Sequence, residues 1–151
     1  MNWNFEVSPG HIPEYRLHSS EGTQLMFKYN SQQQSIRMKF NNYQGVYLLG
    51  DAGISARKFP LLNVYGSEIG TVSKSVINPL QGTIYLEDHY KITYKINPQQ
   101  SSVELRYKEQ VNVCQLGGEW NKAYEALGLI TAIALSWMYA VAVSRQQLSA
   151  A

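Results

Sequence analysis

Basic side chains at alternate positions are the groups in this chain best placed to do chemistry. Arg37 and Lys39 stand two residues apart, Lys91 and Lys95 are linked through Thr93, and Arg106 with Lys108 repeats the spacing. In an extended strand residues i and i+2 share a face, so each set projects to one side. Such sets can grip lipid phosphates, Arg through its planar fork and Lys as a point charge. The same alternation is also the ordinary solvated face of a strand, where charge guards against edge-to-edge aggregation. Arg37, Lys39, Lys91 and Lys95 are the candidate residues for an anionic ligand.

The other reactive side chains are scattered. His11, His18 and His89 lie far apart, and although His89 follows Glu87 and Asp88 in a turn, a metal site needs ligands that converge. No metal site is expected. Cys114 is the single cysteine and alternates with Val111 and Val113, the setting of a small buried hydrophobe and not of an activated nucleophile. Asp51 and Asp88 are the only aspartates, and no Ser, His and carboxylate set can be given catalytic roles. The glycines at 50, 53, 66 and 70 lack the Lys-Ser/Thr of a phosphate loop and read as turns. No cofactor is expected, and an enzyme here would have to build its pocket from residues distant in sequence.

These side chains must be positioned by short strands. Residues 25–29 and 36–40 alternate apolar with polar positions on either side of Asn30-Ser31, as neighbouring antiparallel strands do. Further runs at 46–49, 54–59, 61–65, 69–74, 83–86, 90–96, 103–107 and 111–116, with weaker ones at 3–7 and 15–18, bring the expected number to about twelve. Gly117-Gly118 then marks a change. Asn121 can cap a helix predicted over 122–147, which is uncharged from 126 to 144 and shows no polar stripe. Nine of those nineteen residues are Gly, Ala, Ser or Thr.

A helix apolar on every face needs protein or lipid around it. At 1.5 Å per residue the uncharged run spans about 28 Å, enough to cross a bilayer or to thread a small domain. Strands closed around the helix satisfy the sheet edges and the inward faces together, so the expected fold is mainly β with one C-terminal helix: an antiparallel barrel closed around a central hydrophobic helix, in a single domain over 1–151. The alternative is a tail-anchored membrane protein with a cytosolic β domain.

Composition narrows the partners. A net charge of +2 is too small for nucleic acid binding, and one cysteine excludes an internal disulfide framework. The first fifteen residues lack a basic stretch followed by an apolar run, so the expected location is cytoplasmic, peripheral to a membrane if a lipid is bound.

The pattern of many short strands and one C-terminal apolar helix resembles the tubby-like superfamily, which includes the tubby C-terminal domain, the LURP-one-related proteins and the phospholipid scramblases. Leu62-Asn63-Val64-Tyr65-Gly66-Ser67-Glu68-Ile69-Gly70-Thr71-Val72 looks like that family's hairpin, with Asn63 where Asp is common, and residues 124–143 look like its central helix. No counterpart of the scramblases' acidic calcium cluster is found. The resemblance implies a twelve-stranded barrel around a buried helix and a non-enzymatic binding or scaffold module. Its partner would be an anionic membrane lipid headgroup, held by basic residues outside the barrel, or a protein.

Overall fold

The structure is a computed structural model and describes residues 2–50, 53–86, 90–116 and 122–140, with the backbone alone at 122–124. The described strands are β1 (Asn2–Ser8), β2 (Glu14–Ser19), β3 (Gln24–Asn30), β4 (Ser35–Phe40), β5 (Tyr43–Leu49), β6 (Lys58–Leu62), β7 (Glu68–Lys74), β8 (Gln81–Leu86), β9 (Tyr90–Asn97), β10 (Ser102–Tyr107) and β11 (Gln110–Gln115). Each pairs antiparallel with its neighbour in sequence, and β1 closes the barrel by pairing parallel with β11, residues 2–4 against 113–115. The helix α1 (Lys122–Met138) follows.

Period-two patterning decides which way each side chain faces. Leu25 and Phe27 on β3, Ile36 and Met38 on β4, and Ile92, Tyr94 and Ile96 on β9 are buried, while Lys28, Arg37, Lys39, Lys91 and Lys95 between them are exposed. The inward set lacks a facing sheet and packs instead on α1, which lies against β3, β4, β8, β9 and β10. Every residue from 128 to 138 is buried. Its hydroxyls are satisfied within the helix: Thr131 Oγ1 donates to the Leu127 carbonyl at 2.8 Å and Ser136 Oγ to that of Ala132 at 2.7 Å. Just past the helix, the Tyr139 hydroxyl donates to Asn112 Oδ1 at 2.6 Å. Among the described residues no helix is long and apolar enough to cross a membrane.

Two close approaches depend on missing side chains. Gly45 on β5 lies under the Trp137 indole, where a Cβ would come within 2.9 Å of Cζ2 and nearer still to Cε2. Gly82 on β8 faces Tyr94 on β9, whose hydroxyl oxygen would stand 2.6 Å from an added Cβ. Glycine at these inward positions lets a large aromatic ring occupy space over the neighbouring strand.

Eleven described strands meet the expectation of about twelve, and an expected boundary shifts at Pro60, where the chain does not break. The stretch expected as a strand over 54–59 opens as a 3-10 turn at Gly53–Ser55, and β6 then runs straight through the proline. Gly50 N donates to the Pro60 carbonyl, so the side on which proline lacks its N–H faces Gly50, one residue past the end of β5, where the loss is a single bond at the strand's edge. The run expected over 61–65 instead ends in a turn in which Asn63 Oδ1 accepts from the N–H groups of Tyr65 and Ser67. The cap expected at Asn121 and the expected helical residues 141–147 lie outside the described residues.

Candidate anion-binding groove

The outer face of β6 to β10 assembles a polar surface from residues far apart in sequence. Pairing places Lys58 opposite Ser73, Ser73 opposite Thr83, Thr83 opposite Thr93, and Thr93 opposite Arg106. With strands about 4.8 Å apart, this row of three hydroxyls between two cations crosses roughly 19 Å of wall. One pleat further along, Gln81 faces Lys95 and Lys95 faces Glu104. Ser73, Thr83, Thr93, Gln81, Lys95, Glu104, Arg106 and Arg57 line an open groove of about 670 Å³.

The electrostatics of the groove favour an anion. Glu104 accepts from Arg106 Nη2 at 3.1 Å and from its Nε at 3.3 Å, which fixes the guanidinium plane against the wall. Arg57 Nη1 donates to the Lys74 carbonyl at 3.3 Å, and among the described residues neither Arg57 nor Lys95 has an ion-pair partner. Lys74 also borders the groove, but its Nζ is engaged, donating to the Ile54 carbonyl at 2.7 Å. Burial there lowers the Lys74 pKa below the ordinary lysine value, an effect opposed by Glu125. Among the described residues that line the groove, the outward cations Arg57, Lys95 and Arg106 therefore face one carboxylate that is already engaged. The hydroxyls of Ser73, Thr83 and Thr93 are not committed to other described residues and can donate to ligand oxygens.

The four sequence candidates are exposed, but the barrel does not bring them together. Arg37 and Lys39 lie on β4 and Lys91 and Lys95 on β9, with β5 to β8 between them on one side and five strands on the other. Arg37 and Lys39 line a smaller groove of about 270 Å³ with Lys28, Met26, Val46 and Glu14. There Glu14 is held by Arg16 at 3.1 Å and faces Lys28 at 3.8 Å. Lys95 belongs to the larger groove, whereas Lys91 stands opposite Tyr85 and lines neither. The Arg106 and Lys108 alternation is interrupted, because Lys108 occupies a left-handed turn position at φ 55° with Nζ 5.3 Å from the Tyr107 ring centre. Sequence reading missed Arg57, Ser73 and Thr83; the available signal was polar alternation on successive strands, which lacks the register that aligns them.

The remaining candidates take quieter places. His11 lies in the β1–β2 connection, His18 Nε2 lies 3.4 Å from a Glu6 carboxylate oxygen, and His89 lies outside the described residues. No three His, Cys, Asp or Glu side chains among the described residues gather as metal ligands. Cys114 is fully buried, and burial pushes its thiol up to about 12. Comparison of the chain with family models, with curated proteins and with solved structures returns no match.

Proposed function

We propose that this chain is a non-enzymatic binding or scaffold module that takes a phosphate-bearing anion on the outside of its barrel, in the groove over β7 to β10. One observation carries the reading: the row Lys58, Ser73, Thr83, Thr93 and Arg106, flanked by Arg57 and Lys95. A small-molecule pocket is typically lined mostly by apolar side chains, whereas cations and hydroxyls on an open wall suit a hydrated, multiply charged ligand. Among the described residues the barrel interior is taken up by α1 and the inward apolar side chains, which favours the outer wall. The resemblance to tubby-like proteins points the same way, to anionic headgroups held outside a filled barrel.

Isothermal titration with inositol hexakisphosphate tests this. The expected result is binding at low salt that weakens as salt is raised. Replacing Arg57, Lys95 and Arg106 together by Gln should weaken it about tenfold or more, since each cation near a charged group contributes on the order of 1 kcal/mol. The Arg37→Gln, Lys39→Gln pair should leave it unchanged. Equal affinity in the triple variant would remove the groove from the account.

A further inference from the structure

The connection between β7 and β8 carries the most exposed apolar residues next to the groove. Ile77 is 96% exposed and Val76 79%, and Val76 also forms part of the groove wall. The loop does not simply hang open. Ser75 Oγ accepts from the N–H groups of Ile77 at 3.3 Å and Asn78 at 3.4 Å, and Asn78 Oδ1 accepts from Leu80 N at 3.1 Å. Ser75 N donates to the Gln81 carbonyl, Gln81 N to that of Asn78, and Leu80 packs against the core. The loop is thus closed on itself and tied down at Leu80, with its two β-branched side chains turned to solvent.

We propose that this loop docks the barrel on an anionic bilayer, Val76 and Ile77 entering the boundary between headgroups and acyl chains while the groove takes lipid phosphates. The inference rests on the groove reading given above and names the source of its anion. Charge complementarity selects this loop over the exposed apolar tip of the β6–β7 hairpin. Val64 and Tyr65, 60% and 89% exposed, sit in the hairpin at the opposite end of the barrel, beside Glu68 and without a cation in the turn. At Val76 the neighbours across the groove are Arg57, Lys95 and Arg106. Apolar residues flanked by cations combine burial of apolar area with attraction to anionic lipid, and neither alone anchors a protein firmly.

The test uses the full chain with an environment-sensitive fluorophore on Ile77→Cys, or on Tyr65→Cys as the control. Cys114 is buried, so the introduced thiol is the one that reacts. Vesicles are phosphatidylcholine alone or an equimolar mixture with phosphatidylserine. The label at 77 should shift to the blue on the mixed vesicles, with quenching by acyl-chain nitroxides, and the label at 65 should not respond. The unlabelled Ile77→Gln variant should lose vesicle binding about tenfold while binding inositol hexakisphosphate in solution as before. A label at 77 that stays in water on both vesicle types overturns bilayer docking, leaving the loop to a protein partner and the groove reading intact. If the unsubstituted chain fails to bind the soluble hexaphosphate, the groove reading fails and this inference falls with it.

Discussion

Gly45 and Trp137 set the tolerance of the interior at the level of single residues. The indole occupies the space a side chain at position 45 would need, so Gly45→Ala forces either the ring or the β5 backbone to move. Overpacking of this kind costs about 1–3 kcal/mol, and a urea midpoint unchanged in the variant would show that the ring is not held there. Cys114 and Tyr94 make a second expectation. Burial pushes the thiol from 9.0 to about 12 and the phenol from 10.0 to about 12, so both hold their protons more tightly folded than unfolded. The stability associated with these groups is complete below pH 9 and is lost as pH rises towards 12, at up to roughly 1.4 kcal/mol per pH unit for each group. Urea midpoints should be level from pH 7 to about 9 and then fall, and Cys114→Ala should flatten the first part of that fall. A midpoint that climbs across this range would contradict the buried placement of both groups.

At the scale of elements, much of the architecture was legible because burial and period coincide. Leu25, Phe27, Ile36 and Met38 alternate in sequence as they alternate in the wall, and the absence of a polar stripe on α1 announced that something surrounds it. Pro60 was misleading for a physical reason. The rule that proline interrupts a strand assumes a continuing ladder on its N–H side, and Pro60 faces only Gly50 there, just past the end of β5. Register was not legible at all: Arg37 with Lys39 and Lys91 with Lys95 share one local pattern, yet strand order sends them to opposite walls. The groove therefore could not be assembled from its polar alternation alone, because Ser73, Thr83 and Thr93 become neighbours only when β7, β8 and β9 pair. Since α1 is the apolar partner of the inward strand faces, a fragment of residues 1–118 should lack a cooperative unfolding transition. A well-dispersed amide spectrum from that fragment would mean that the strands close a core without the helix.

Taken as a whole molecule, the chain fills its described interior with its own helix, so the proposed binding falls to the outer wall. Such a design separates stability from binding: substitutions in the groove should change affinity with little effect on folding, and those in the core the reverse. Anion binding is proposed over β7 to β10 and not inside the barrel. An amide chemical-shift titration of the isotope-labelled chain with inositol hexakisphosphate tests it most directly. Saturable shifts are expected at Arg57, Ser73, Thr83, Thr93, Lys95 and Arg106, reversed by salt, with Ile133, Leu135 and the β4 pair Arg37 and Lys39 unmoved. Shifts confined to the β4 face, or spread through the α1 core, would contradict it.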